Sequence, residues 1–209
     1  MIEVHHLNNS RSQRVLWMLE ELGLDYEVVR YQRDPKTMLA PAALRQVHPL
    51  GKSPVLRDGE LVLAESGAIL EYLCERYGDG RFVPPAGTAQ HLRHRYWMHY
   101  AEGSAMPPLL LKLVLGRLGI LGLPARGFVN AQLRTHLQFM EGELAQSAYF
   151  VGEDFGAADV QMSFPLEAMV ARGGLDARYP RLLALLGRLH ARPAYARALD
   201  KGGPFRLGR

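Results

Sequence analysis

Apolar residues follow two rhythms along this chain, and the change from one to the other divides it. In the first third, Glu3 to Leu7 and Tyr26-Glu27-Val28-Val29-Arg30-Tyr31 alternate in the manner of strands. Between them Val15, Leu16, Leu19 and Leu22 recur at i, i+1, i+4 and i+7, the stripe of an amphipathic helix, and Gly23 supplies its stop. Asn8-Asn9-Ser10-Arg11-Ser12 is the loop that opens this helix, and Pro35 to Val47 is mostly helical or irregular. Val55-Leu56, the turn Arg57-Asp58-Gly59-Glu60 and Leu61-Val62-Leu63 predict a hairpin, because Gly takes the positive φ of the turn without steric cost. A helix then runs to about Tyr77. This β-α-β-α-β-β-α order, with a right-handed crossover, fits a mixed four-stranded sheet covered by helices.

The texture changes at residues 79–87, which are rich in Gly and Pro and without periodicity, and this segment is read as a linker between a domain of residues 1–78 and one of residues 88–209. Beyond it no stretch alternates like a strand. Thr88 to about Leu115, with a break at Pro107-Pro108, then Arg126 to Gln146, Ala157 to Arg172 and Pro180 to His190 all predict helices, so the second domain is all-α.

Composition narrows the function classes. The chain has 209 residues, 48% of them hydrophobic, ample for a folded core. No run reaches the roughly 18 uninterrupted apolar residues of a spanning helix, and the N-terminus lacks a basic region followed by an apolar stretch, so the expectation is a cytoplasmic protein without a membrane partner. The 25 basic residues, for a net charge of +4, are spread along the chain, which argues against nucleic acid. A single cysteine, Cys74, excludes an intramolecular disulfide and a Cys-x-x-Cys redox pair, and its place in a helix stripe suits a small buried residue. Adjacent His5 and His6 point to opposite faces of a strand, and neither His48 nor the loosely spaced His91, His94 and His99 has an acidic partner arranged, so no metal site is expected.

The candidate chemistry lies in two short motifs flanking the hairpin. In Lys52-Ser53-Pro54-Val55-Leu56 the residue before proline is driven out of the α region, leaving Ser53 extended with backbone N–H and C=O able to pair with a ligand, while Pro54 has no donor of its own. In Ala64-Glu65-Ser66-Gly67 a strand hands over to a helix. A helix start offers unpaired N–H groups and positive dipole to a carboxylate, Ser66 adds a hydroxyl, and Glu65 suits an amine. An extended edge beside such a helix start is fitted to a small zwitterionic peptide.

Gly51-Lys52-Ser53-Pro54-Val55-Leu56 and Glu65-Ser66-Gly67-Ala68-Ile69 resemble the thioredoxin-like domain of the glutathione transferases, in their bacterial form. Phe150 to Asp159 and Arg192-Pro193-Ala194-Tyr195 resemble the same family's helical domain. The resemblance implies a cis peptide bond at Pro54, with the Ser53 backbone and the neighbouring Val55 along the cysteinyl part of glutathione. It places the γ-glutamyl group on Glu65 and Ser66. Lys52 beside the edge is either a partner of the glycyl carboxylate or a solvated lysine.

Glutathione transfer needs a thiolate, and the family places its sulfur donor in the loop after the first strand. Here that loop lacks Tyr and Cys: Ser10 is the natural hydroxyl, whereas counting back from Arg14-Val15-Leu16 puts Asn9 at the matching position, and a backbone N–H is the third option. A hydrophobic second substrate is expected between the domains, at Tyr100, Ser104 and Met106, unless these are packing residues of the bundle.

The reading is therefore a glutathione transferase, conjugating glutathione as co-substrate to a small hydrophobic electrophile without metal or other cofactor, and a homodimer. Its rivals are a glutathione-dependent peroxidase or disulfide reductase, and a noncatalytic binding protein on the same fold. One departure from the family concerns folding: the N-cap before Asp159, usually Ser or Thr, is Gly156.

Overall fold

The computed structural model describes residues 1–207 and forms two compact units, residues 1–82 with 190–206, and residues 83–189 with 207. In the first unit the elements are β1 (Ile2–Leu7), α1 (Ser12–Leu22), β2 (Tyr26–Tyr31), α2 (Leu44–Val47), β3 (Val55–Asp58), β4 (Leu61–Ala64) and α3 (Ser66–Tyr77). The sheet order is β2-β1-β3-β4, with β1 and β2 parallel across the α1 crossover and β3 antiparallel to both β1 and β4. Asp58 pairs with Leu61, so the hairpin connection is only Gly59-Glu60, and Gly59 takes φ +57°.

Helix α1 is buried almost all round, polar residues included. The cause is α9 (Pro193–Gly202), which the hydrophobic pattern left without an element and which packs on α1. This corrects the expectation that residues 88–209 make up the second domain: residues 190–206 belong with the first unit, and residues 208 and 209 lie outside the described residues. Charge explains the docking. Glu21 receives both Arg192 Nε (2.5 Å) and the Trp17 indole (2.8 Å), and Glu20 receives Arg197 Nε (2.7 Å), Lys201 Nζ (2.8 Å) and the Tyr26 hydroxyl (2.9 Å). The fit ends on a glycine, because a Cβ at Gly202 would come within 2.7 Å of Leu16 Cδ1.

The second unit is helical: α4 (Ala89–Tyr100), α5 (Met106–Arg117), α6 (Leu123–Glu143), α7 (Ala157–Ala168) and α8 (Pro180–His190). The first long helix breaks ahead of Pro107-Pro108, not at them. Residues 101–105 form a π-helical turn, and the prolines sit in the first turn of α5. Their rings exclude the carbonyls four residues upstream, so the ladder loosens before them. Trp97 stacks with Phe139 at 5.8 Å and packs on Phe150 at 4.3 Å, anchoring the core of this unit.

Asp159 does more for α7 than its place opposite a glycine cap suggests. Although Gly156 has no side chain to offer, Asp159 Oδ2 accepts the Gly156 N–H (3.0 Å), and Oδ1 accepts the Phe150 N–H (3.0 Å). Asp159→Ala strands two buried donors at about 1–3 kcal/mol each. We expect a melting temperature lower by at least about 5 °C, with Asp159→Asn recovering part of it. A thermal scan of the alanine variant matching the parent would refute this role.

Candidate functional site

The two motifs and the loop after β1 meet at one end of the sheet of the first unit. Because His5 pairs with Val55 and Val55 with Ala64, the chain just before β3 lies beside the end of β1 and the end of β4. The Ser53 side chain fixes this edge: its hydroxyl donates to the His5 carbonyl (2.8 Å) and accepts the Leu7 N–H (3.1 Å). The Ser53-Pro54 bond is cis, Pro54 and Val55 are buried, and Lys52 is exposed.

Across the hairpin, Glu65 is exposed and holds φ +72°, ψ +116°, a conformation that costs a non-glycine residue of order 1–3 kcal/mol. The turn aims its carboxylate outward at the N-terminus of α3. Ser66 beside it is buried, and its Oγ accepts a hydrogen bond from Arg14 Nη2 at 2.8 Å. Arg14 itself is only 1% exposed. With a lone pair of Ser66 taken by a guanidinium, the hydroxyl keeps its proton to donate, with positive charge behind it. Sequence reasoning used Arg14 only as a register mark. The available signal was an arginine set directly before the apolar run Val15-Leu16-Trp17-Met18-Leu19.

The loop carries the two candidate sulfur donors, and their environments differ. Ser10 is 4% exposed, its Oγ accepts the Ser12 N–H (3.2 Å) and lies 2.7 Å from Ser12 Oγ. Ser12 Oγ in turn lies 2.9 Å from His6 Nδ1, and His6 also bonds the Gly202 backbone. A tautomer protonated on Nε2 satisfies the chain from Ser10 through Ser12 and His6 to α9, and the Ser10 hydroxyl is spent within it.

Asn9 is half-buried with φ +50°, and its Oδ1 accepts the Arg206 N–H at 2.7 Å, which leaves the amide NH₂ as the side chain's donor. Arg33, which the sequence reading also missed, braces this loop. It donates from Nη2 to the Asn9 carbonyl (3.4 Å) and from Nε to the Asn8 carbonyl (3.2 Å), while its own N–H reaches Asn8 Oδ1 (2.9 Å). Burial and the neighbouring Arg11 lower the Arg33 pKa, which marks the loop as electropositive.

The other singled-out residues fall elsewhere. Tyr100 closes α4 in the aromatic core of the second unit, its hydroxyl 2.6 Å from His136 Nδ1, whereas Ser104 and Met106, in the π turn and at the start of α5, are half-buried. Cys74 is buried against Met18 Sδ (3.8 Å), and burial pushes its thiol up to about 12, so it holds no thiolate near neutrality. Among the described residues no cluster of His, Cys, Asp and Glu is arranged to hold a metal ion.

Residues 1–75 match the model of the glutathione S-transferase N-terminal domain, and residues 124–188 match that of the C-terminal domain. The chain is 30% identical to glutathione S-transferase 1 of Saccharomyces cerevisiae, covering 96% of this chain and 95% of the relative. It superposes on the crystal structure of a glutathione S-transferase from Actinobacillus pleuropneumoniae with a TM-score of 0.89 at 37% identity, over 98% of this chain and 94% of that one. A sphingomonad glutathione S-transferase complexed with glutathione is similar at a TM-score of 0.78 and 25% identity, over 96% and 98% of the two chains.

The His6 network makes a pH prediction. Burial is the main cause that lowers the His6 pKa to about 4, against about 6.5 for an unfolded histidine. The folded state therefore resists protonation, and the stability His6 contributes is complete above pH 6.5 and is lost as the pH falls toward 4. His6→Asn, which keeps an acceptor for Ser12, should lose up to about 3 kcal/mol less than the parent across that interval in denaturant unfolding. Equal losses in the two proteins would show that His6 titrates freely.

Proposed function

The chain belongs to the glutathione S-transferase family, and from that footing we propose that it activates the thiol of glutathione for attack on a small hydrophobic electrophile. The observation that carries the reading is the convergence of the Ser53 edge with Glu65 and Ser66, the latter backed by buried Arg14. Those groups match the ends of glutathione in chemistry: Glu65 for the γ-glutamyl amine, the Ser66 hydroxyl and the α3 start for its carboxylate, and the Ser53 backbone beside Val55 for the cysteinyl amide. Lys52 suits the glycyl carboxylate.

For the thiolate this reading assigns the donor to Asn9 and not to Ser10, because the Ser10 hydroxyl is buried and engaged while the Asn9 amide, its Oδ1 taken by the Arg206 N–H, keeps its NH₂ to donate. A thiol with pKa near 8.5 is only a few per cent ionised at neutral pH. One charge-assisted hydrogen bond of about 1.5–3 kcal/mol lowers that pKa by one to two units, and the basic loop around Arg11 and Arg33 acts in the same direction. Catalysis on this reading consists of orientation and charge stabilisation, with no covalent enzyme intermediate. A dithiol reductase is disfavoured by the burial of Cys74. Ser104 and Met106 stay with the proposal as electrophile contacts, and so does the homodimer implied by the family.

Two experiments test these assignments. Glu65→Ala and Ser66→Ala should each weaken glutathione binding about tenfold or more, Glu65→Ala with the melting temperature near the parent's and Ser66→Ala with a lower one, because it also removes an acceptor of buried Arg14. Calorimetric titration giving parental affinity in both variants would sink the site.

The thiolate assignment needs a variant that keeps the loop, and Asn9→Gly retains the positive φ without strain. In Asn9→Gly the bound thiol should titrate about one unit higher by thiolate absorbance, with the defect in turnover shrinking as the pH rises. Ser10→Ala should leave that titration in place and lower stability instead. The reverse pattern would return the role to Ser10, and no shift in either would assign it to a backbone N–H.

A further inference from the structure

Between Gly103 and Met140 the chain contains no aspartate or glutamate, and its charged residues are Lys112, Arg117, Arg126 and Arg134. The structure folds this stretch into a hairpin of α5 and α6 whose tip is the 3₁₀ turn Gly119–Gly122. At that tip the apolar side chains face outward: Ile120 is 82% exposed and Leu121 83%, with Leu118 and Leu123 about half exposed on either side and Phe128 exposed one turn further on. Arg117 and Arg126, both exposed, flank them.

The tip is built, not frayed. Gly119 takes φ +58°, a Cβ at Gly122 would come within 2.3 Å of the Leu115 carbonyl oxygen, and Arg126 Nη2 donates to the Gly119 carbonyl at 3.3 Å. The two glycines close the turn tightly against α5 and present Ile120 and Leu121 at its apex. An exposed apolar apex adds nothing to the core of its own unit, and a contiguous patch of this kind, rimmed by charge of one sign, marks an interaction surface.

We propose that this tip is a docking device for an anionic phospholipid bilayer, with Ile120 and Leu121 inserted at the headgroup boundary and Arg117 and Arg126 on the lipid phosphates. Charge decides the choice of occupant. The stretch carries no acid to offset its basic rim, and an anionic leaflet supplies the missing sign. No helix among the described residues is long and apolar enough to cross a membrane, which bears on spanning and not on surface attachment. Interfacial binding needs only a few apolar groups reaching about 5–10 Å into the boundary region, together with basic residues beside them.

Flotation of the full chain with vesicles tests the proposal. The parent should float with equal parts phosphatidylglycerol and phosphatidylcholine at an ionic strength of about 0.1 M, and not with phosphatidylcholine alone. Raising the salt to about 1 M, where the screening length falls to about 3 Å, should release most of it. The double variant Ile120→Asp, Leu121→Asp should bind anionic vesicles about tenfold less while keeping parental glutathione affinity and melting temperature. Failure of the parent to float with the anionic vesicles, or equal flotation of the variant, would overturn the assignment. So would a fall in molar mass of the variant by light scattering, which would give the tip to a second copy of the chain.

Discussion

The end of β1 is held in place by one side chain from another part of the sheet. The Ser53 hydroxyl bridges the His5 carbonyl and the Leu7 N–H, continuing the β1–β3 contact past the last paired backbone groups. That bridge ties the peptide edge to the end of β1, and with Arg33 and the Asn8 N–H on the Tyr31 carbonyl it holds the start of the Asn8–Ser12 loop. Their separation is thereby set by a side-chain contact between them instead of by two independent loops.

Burial of α1 performs the second positioning task. Its polar residues would be costly inside a unit unless satisfied, and each of those with a described partner ties the helix to a different neighbour. Arg14 reaches Ser66 at the start of α3, Ser12 reaches His6 on β1, and Glu20 and Glu21 reach the basic side chains of α9. The C-terminal helix thus braces the helix that carries Arg14. Replacing Gly202 would push on Leu16 and Gln13, the helix residues flanking Arg14 and Val15 in sequence, and so connects the far end of the chain to the site through packing alone.

The two units place their unusual residues under different constraints. In the first, positive-φ backbone at Asn9 and Glu65 sits at the end of the sheet where the two motifs and the loop after β1 meet. In the second, the irregular segments are turns forced by composition: the π turn ahead of Pro107-Pro108 and the glycine-closed tip at Gly119–Gly122. The tip combines outward apolar residues with charge of one sign, a combination that folding does not require and that association with an anionic surface does.

The sequence alone determined the strand and helix order from β1 to α3, the hairpin at Asp58-Gly59, the all-helical second unit and the two motifs around Ser53 and Glu65, because each rests on local rules of periodicity, proline geometry and turn chemistry. Tertiary structure alone decided what distant residues do for one another. Helix α9 had caps and charges but no partner visible in a linear reading, and its place is set by acids on α1 some 170 residues earlier. Packing also ties the Ser10 hydroxyl into the His6 network and sets Asn9 Oδ1 on the Arg206 N–H, a contact between residues too far apart in sequence for a linear reading to pair. Arg14 reads as a polar residue on a helix until the fold brings Ser66 to it. Apolar period also cannot tell a buried leucine from an exposed one, and the outward placement of Ile120 and Leu121 follows from the tight turn that carries them.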